Sequence, residues 1–180
     1  MKTSNLIAGI GAAMLFILSL LFQGRVHYHI KKEKAAGYGV FESQTREIAH
    51  FDHLKVGKKI KVIFSQDSIT NIRVWGPKVL LDSIKTHVIQ KELQLSLGSG
   101  IRTKDTIKVF VNNNALKQLQ LTGGYFENKG TLNVDEFRLQ MDKDSDCNLH
   151  LNAETLEVDM AKGSGLDLTG KTEHIIFINQ

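Results

Sequence analysis

Apolar residues alternate with polar ones through most of the chain from about residue 48 onward. This two-residue period is typical of β-strands that bury one face, because successive side chains of a strand point to opposite sides. The alternating sets are Ile60/Val62/Phe64, Ile72/Val74, Leu93/Leu95/Leu97 and Ile107/Val109/Val111. Turn-forming residues separate them. The pattern predicts an N-terminal β unit over residues 48–115 with one short helix at about 78–85.

A repeat of nineteen residues dominates the C-terminal third of the chain. The matching residues are Phe137, Leu139 and Met141, then Leu156, Val158 and Met160, then Ile175 and Phe177. A fixed period of roughly twenty residues with alternating apolar positions is typical of a solenoid, in which each repeat forms one coil. We therefore predict an all-β fold in which residues 116–180 form a short right-handed parallel β-helix, or β-solenoid.

Stacked coils would align equivalent residues of successive repeats into apolar ladders. The predicted ladders are Leu119–Phe137–Leu156–Ile175 and Leu121–Leu139–Val158–Phe177. Gly123-Gly124 and Gly163-Ser164-Gly165 fall at equivalent corners, where a tight bend requires positive φ or a missing side chain. The last repeat ends in an apolar strand without a polar cap. Its residues Ile175, Ile176, Phe177 and Ile178 are predicted to form an open edge that a partner could use.

Residues 1–24 contain an uncharged apolar segment, Leu6–Phe22. As a helix it would be about 25 Å long, close to the roughly 30 Å hydrocarbon core of a bilayer. The run exceeds the apolar region of a secretory signal, and no small-x-small cleavage site follows it. A retained transmembrane anchor is therefore favoured over a cleaved signal. Residues 25–47 are interpreted as a juxtamembrane spacer.

The charges beside this segment leave its orientation open. The basic cluster Arg25–Lys34 would place the body in the cytoplasm by the positive-inside rule. β-Solenoids of this composition, however, are mostly exported proteins. We favour an extracytoplasmic body, with the basic cluster resting on anionic lipid headgroups.

The formal charge of +4 comes from the first forty residues, because residues 41–180 contain 18 basic and 18 acidic side chains. Nucleic-acid binding is disfavoured, since it requires a folded surface that neutralises phosphates. The charge is still uneven: residues 41–118 contain 13 basic and 7 acidic groups, and residues 119–180 contain 5 and 11. This polarity is common on solvated faces and would also suit head-to-tail contact.

The order of the motifs resembles that of a known bacterial family. The motifs are Phe51-x-x-Leu54-x-Val56-Gly57, Ile60-Lys61-Val62-Ile63-Phe64, Ile72-x-Val74-x-Gly76-Pro77, Leu93-x-Leu95, Ile107-x-Val109-x-Val111, Leu116-x-x-Leu119-x-Leu121-x-Gly123-Gly124 and Gly163-Ser164-Gly165-x-x-Leu168-x-Gly170. They cover most of residues 50–178 and are similar to the auto-transporter adhesin head GIN domain family, DUF2807. The resemblance implies an envelope-associated β-solenoid and assigns no catalytic residues. The chain departs from the family pattern at Asp144-Ser145-Asp146, where a Gly-Ser-Gly corner is expected.

Three carboxylates form a weak candidate metal site. Asp142, Asp144 and Asp146 have the alternate spacing that begins a calcium loop. The glycine and glutamate that complete an EF-hand loop are missing from their positions. A solvated turn is therefore the favoured interpretation of this segment.

The other candidate side chains favour structural roles. Cys147 occupies an apolar position of the repeat, equivalent to Leu166, which favours a buried thiol over a nucleophile. His50, Asp52 and His53 precede a strand and lack the helical spacing of zinc motifs. We predict no catalytic residues and no cofactor.

The sequence thus predicts a non-enzymatic, membrane-anchored envelope protein. Its extracytoplasmic β-solenoid would act as an adhesion, interaction or structural module that contacts another copy, an envelope protein or a glycan. Two alternatives stay open: a polysaccharide-processing β-helix enzyme, and a membrane signalling anchor with a cytoplasmic body. The enzyme would need carboxylates clustered on a long solenoid face, and the signalling anchor would need the Arg25–Lys34 side to be cytoplasmic.

Overall fold

The computed structural model describes residues 40–101, 103 and 105–178, which contain twelve strands of one sheet and one short helix. The strands are β1 (Phe41–Arg46), β2 (His53–Gly57), β3 (Ile60–Gln66), β4 (Asn71–Pro77), β5 (Ile84–Ile89), β6 (Glu92–Leu97), β7 (Ile107–Asn113), β8 (Gln118–Thr122), β9 (Tyr125–Lys129), β10 (Leu132–Met141), β11 (Asp146–Met160) and β12 (Gly165–Ile178). The helix α1 spans Lys78–Leu81. The prediction of an all-β fold is confirmed.

Most strands stack in parallel in two series that meet at β11. The first series is β6, β2, β8 and β10, and the second is β7, β3 and β9. β9 and β10 pair with successive parts of one edge of β11, and β12 pairs with its other edge. At the far end of each series the pairing becomes antiparallel, because β5 joins β6, and β4 followed by β1 joins β7.

The inward residues of neighbouring strands form apolar ladders. In the first series Leu93, Leu54, Leu119, Leu139 and Val158 are successive register partners, and each is at most 1% exposed. Parallel strands lie about 4.8 Å apart, so successive side chains of a ladder touch and exclude water. The second series contains the ladder Val109, Val62, Phe126 and Cys147.

The predicted ladders are wrong at their first step. Leu119 pairs with Leu139, and Leu121 pairs with Met141, instead of with Phe137 and Leu139. The later steps have the predicted offset of nineteen residues. A shift of two residues keeps every side chain on the same face of its strand. The alternation could therefore not distinguish the two registers.

A tight corner recurs between the two series of strands. Gly123, Asp144 and Gly163 have positive φ angles of 78°, 61° and 89°. Side chains disfavour this left-handed region, although Asp and Asn tolerate it best. The Asp144 N–H donates to the Gly163 carbonyl at 3.3 Å, and the buried Ser145 hydroxyl accepts from the Gly123 N–H at 2.8 Å. The acidic corner is thus the structural equivalent of the glycine corners.

Two elements differ from their predicted extents. α1 ends at Leu81 instead of near residue 85, because the buried Ile84 already begins β5 and pairs with Leu97. β1 lies inside the segment interpreted as a spacer, and it pairs with β4. Its six residues show no alternation, because four of them are exposed and only Glu42 and Arg46 are partly buried.

Arg46 closes the antiparallel end of the sheet, which we define as β1, β4, α1 and β5. Its guanidinium donates to the carbonyl oxygens of Leu81 at 2.7 Å and Ile84 at 2.6 Å, and to Oγ1 of Thr86 at 3.1 Å. Burial lowers the pKa of Arg46, and the nearby Asp82 partly offsets that effect. Because β1 and β5 end different series, this one side chain ties the two series together.

Two predicted segments lie outside the described residues: the Leu6–Phe22 segment and residues 25–39 of the spacer. In the part of the chain that the structure describes, no helix has the length and apolar character needed to cross a membrane. Val40–Gln180 form one compact unit, which takes strands from both predicted β regions.

Candidate interaction surface

β12 is the outermost strand of the sheet beyond β11. Among the described residues β11 is its only strand partner, so its second edge is unpaired. Ile175, Ile176 and Phe177 are 45%, 52% and 64% exposed, and Ile178 is half-buried. The structure thus places the four residues of the predicted partner edge on a strand with one unpaired edge. We call residues 165–178 the β12 end.

The exposed residues of the β12 end point in two directions. Ile175 pairs with Leu156 and Phe177 pairs with Val158, and both β11 partners are fully buried. Ile175 and Phe177 therefore occupy inward positions, and they are exposed because no further strand covers them. Ile176 lies between them and points to the outer face. The β12 end thus combines an unpaired backbone edge with uncovered core side chains.

The acidic corner does not assemble a metal-ligand set. Asp142, Asp144 and Asp146 are exposed, and within residues 40–178 as described no three His, Cys, Asp or Glu side chains are arranged to hold a metal. The backbone N–H groups of Asp142 and Asp146 donate to the carbonyls of Leu121 and Gly124 at 2.8 and 3.1 Å. These bonds fix the corner onto the preceding one, and they leave the carboxylates in solvent.

A cavity of about 700 Å³ lies beside the first half of β10. Charged side chains of both signs line it, including Lys117 and Glu136. Arg138 and Glu157 in its wall form an ion pair at 3.2 Å. The cavity therefore offers a mixed polar wall without a convergent catalytic set.

The sequence interpretation missed this cavity. β8 pairs only with Arg138–Met141 of β10, so none of the described strands pairs with the earlier part of β10 on that side. The Gln66 side chain takes the place of a strand there: its Nε2 donates to the Asn133 carbonyl, and its Oε1 accepts from the Asn133 N–H, both at 2.9 Å. The first repeat, from Leu119 to Leu139, is twenty residues long instead of nineteen. This difference is the sequence signal that could have indicated the cavity.

His53 lines this cavity, Asp52 precedes His53 in the chain, and His50 is exposed. The His53 Nε2 is 3.9 Å from Asp52 Oδ1, and the Lys91 Nζ is 4.0 Å from Asp52 Oδ2. Asp52 Oδ1 is buried without a hydrogen-bond partner. In the described part of the chain, His50, Asp52 and His53 belong to no group of ligands arranged to hold a metal.

Cys147 lies in the interior opposite Leu166 and is 3% exposed. Burial raises the pKa of its thiol to about 12. The thiolate is the reactive form of cysteine, so this side chain is inert near neutral pH. The thiol is a core residue, as its position in the repeat predicted.

Solved structures share the fold at low sequence identity. A "putative adhesin" from Parabacteroides distasonis superimposes with a TM-score of 0.65 at 16% identity, covering 78% of this chain and 66% of its own. A "putative lipid binding protein" from the same organism gives 0.60 at 19% identity, covering 78% and 67%. A "putative adhesin" from Bacteroides fragilis gives 0.56 at 12% identity, covering 79% and 98%. At these identities the likeness shows the fold alone.

The family comparison is more specific than the structural one. No curated protein matches the sequence significantly. Residues 50–178 match the family DUF2807, described as "Putative auto-transporter adhesin, head GIN domain". This match covers most of the chain and almost all of the strands described above, and the resemblance noted in the sequence is confirmed. The chain belongs to the auto-transporter adhesin head GIN domain family.

Proposed function

We propose that this protein is a membrane-anchored, non-enzymatic interaction module of the cell envelope. Residues 116–180 act as β-solenoid coils, and the nineteen-residue offset between β10, β11 and β12 supports this assignment. The adhesin descriptions of the family and of two structural neighbours support an adhesive role and an envelope location. The mixed charges of the cavity beside β10 support binding in preference to catalysis.

The uncovered β12 end is the observation that carries the proposal. An unpaired strand edge presents a row of backbone donors and acceptors, which a second strand can extend by β-augmentation. Ile175 and Phe177 are 45% and 64% exposed at inward positions, so covering them removes apolar surface from water. The added backbone hydrogen bonds and the burial of apolar surface both require a partner at this edge.

Charge favours a second copy of the chain as that partner, arranged head to tail. The β12 end belongs to the half of the body with 5 basic and 11 acidic groups, and the antiparallel end belongs to the half with 13 and 7. Contact between two β12 ends would bring acidic halves together. Contact between a β12 end and an antiparallel end joins opposite charges.

The head-to-tail contact can be tested by sedimentation of the full-length chain in detergent at increasing protein concentration. We expect Ile176→Lys to weaken self-association about tenfold, because a charge on the outer side of the edge opposes close packing. Ile69→Lys is the matched control, since Ile69 is 64% exposed in the turn before β4. Circular dichroism confirms that both variants keep their β structure.

Two results would contradict the head-to-tail contact. One is equal association of the wild type and Ile176→Lys. The other is association that strengthens with salt, because attraction between opposite charges is screened by salt. Capture of an envelope protein by a monomeric chain would replace the second copy as the partner.

The membrane topology requires a separate test. We propose that Leu6–Phe22 spans the membrane once and that the body lies outside the cytoplasm. Alkaline phosphatase fused after residue 180 would then be active, because this enzyme folds only outside the cytoplasm. An inactive phosphatase together with an active cytoplasmic reporter would instead favour the signalling-anchor alternative.

A further inference from the structure

A row of two lysines flanked by two aromatic side chains crosses the outer face of the second series of strands. Trp75, Lys108, Lys61 and Tyr125 are successive register partners on β4, β7, β3 and β9. The Lys108 Nζ lies 5.0 Å from the Trp75 ring centroid, and the Lys61 Nζ lies 4.2 Å from the Tyr125 ring centroid. The two lysines thus sit side by side between two aromatic rings.

A second group of the same kind lies beside this row. The Arg73 guanidinium is 4.7 Å from the Phe110 ring centroid, and the Lys129 Nζ is 5.9 Å from it. Arg73, Phe110 and Lys129 also line a shallow depression of about 360 Å³ on this face. We call the row and this group together the cationic face.

The positive charge of the cationic face is largely uncompensated. The Lys61 Nζ forms an ion pair with Glu127 Oε2 at 2.8 Å. Among the described residues, Arg73, Lys108 and Lys129 have no carboxylate within ion-pair distance. Rings hold these cations in place without neutralising them.

Like charges directly opposite each other on neighbouring strands destabilise a sheet. Lys61 and Lys108 have this arrangement, because β3 and β7 are paired in register. The positions are not at an edge of the sheet, since β3 lies between β7 and β9. Protection of an edge therefore does not account for the two lysines, whereas an anionic ligand would relieve their repulsion.

We infer that the cationic face binds an anionic polysaccharide with one acidic group per sugar. The backbones that carry Lys61 and Lys108 are one strand spacing apart, about 4.8 Å. This is close to the repeat of a linear polyuronate and shorter than the phosphate spacing of an extended nucleic-acid strand. The apolar C–H faces of the sugars would lie on Trp75 and Tyr125, at either end of the lysine pair.

This inference names a partner class for the proposed interaction module, but it uses a surface other than the β12 end. Binding of the full-length chain to polygalacturonate, which has one carboxylate per sugar, provides the test. We expect binding at low salt and none to neutral dextran. Lys61→Gln/Lys108→Gln should weaken binding by about tenfold or more. Lys85→Gln/Lys162→Gln removes the same charge from exposed positions off this face and should leave binding unchanged.

Two further probes separate a polysaccharide site from a general polyanion surface. Trp75→Leu should weaken polygalacturonate binding about threefold and leave the binding of inorganic polyphosphate unchanged. Lys108→Gln alone keeps the Lys61–Glu127 pair and should still weaken polygalacturonate binding. Circular dichroism and thermal unfolding establish that each variant is folded.

Unchanged polygalacturonate affinity in the folded Lys61→Gln/Lys108→Gln protein would overturn the inference. Binding of oligo(dT) or polyphosphate as tight as that of polygalacturonate would overturn the polysaccharide assignment. Ile176→Lys should not change polygalacturonate binding. If glycan binding fails while self-association stays sensitive to Ile176→Lys, the glycan inference alone is wrong and the proposed docking function stands.

Discussion

The two ends of the sheet finish the same apolar ladders in opposite ways. At the antiparallel end, the added strands and α1 cover the core, and Arg46 satisfies the carbonyls of Leu81 and Ile84. At the β12 end, the inward residues Ile175 and Phe177 remain exposed. Within a stack, each strand is covered by the next one, but the strands at the two ends are not. The inward side chains at each end must therefore be covered by other elements or stay exposed. One end is closed by its added strands and α1, and among the described residues the other keeps an unpaired strand edge.

Replacing Arg46 tests the closed end and should have the largest effect. Arg46→Met removes the donors for two part-buried carbonyls, so we expect a loss of about 3 kcal/mol in the free energy of unfolding. Urea unfolding monitored by circular dichroism measures this loss. Arg46→Lys can satisfy fewer of these acceptors and should lose about half as much. A loss below about 0.5 kcal/mol would show that Arg46 does not hold the two series together.

Replacing Gly170 tests the β12 end. Gly170 has a φ of 115°, and a Cβ atom there would clash with the backbone carbonyl of Leu151. We expect Gly170→Ala to lose about 2 kcal/mol, less than Arg46→Met, because β12 can detach while the rest of the sheet stays folded. Amide exchange should accelerate mainly in residues 165–178. Gly130→Ala is the matched control, since Gly130 also has positive φ but has open space around it. Uniform acceleration along the chain would contradict local detachment.

Replacing Asp144 tests the corner that lies between the two ends of the sheet and has a non-glycine residue with positive φ. Asp144→Gly relieves a side chain in the left-handed region, and we expect a gain of about 1 kcal/mol in the free energy of unfolding. Asp142→Gly is the control, because Asp142 does not have positive φ and should show no gain. A lower stability for Asp144→Gly would mean that the aspartate side chain stabilises the corner.

The smallest expected signal is the reactivity of Cys147. Burial raises its pKa to about 12, so little thiolate exists at pH 8 and a disulfide reagent should not label the native chain. Labelling should become measurable in Gly170→Ala, because β12 covers β11 where Cys147 pairs with Leu166. Fast labelling of the wild type would indicate that the β12 end opens without any mutation.

The sequence predicted the regular features of the fold well because they depend on local periods. Alternation located the main inward residues, and the nineteen-residue repeat gave the register between β10, β11 and β12. The first ladder register failed because a two-residue shift leaves the pattern of buried faces unchanged. β1 was missed because an edge strand with exposed residues on both faces shows no alternation.

Sites built from several strands were harder to predict. The exposed residues of the β12 end are consecutive in the chain, so a terminal apolar run could indicate them. Trp75, Lys108, Lys61 and Tyr125 lie on four strands, and only the pairing of those strands makes them neighbours.

The uncovered β12 end has a consequence for how such chains change in length during evolution. The inward residues of β12 repeat the apolar pattern of β11 at an offset of nineteen residues. Duplication of the repeat that contains β12 would therefore place a copy of this strand next to it. The copy would cover Ile175 and Phe177 and would itself become the outermost strand, with the same exposed positions. The antiparallel end does not allow such growth, because Arg46 and the strands beside it would have to be rebuilt. Lengthening by whole repeats is thus open at one terminus of the fold and blocked at the other.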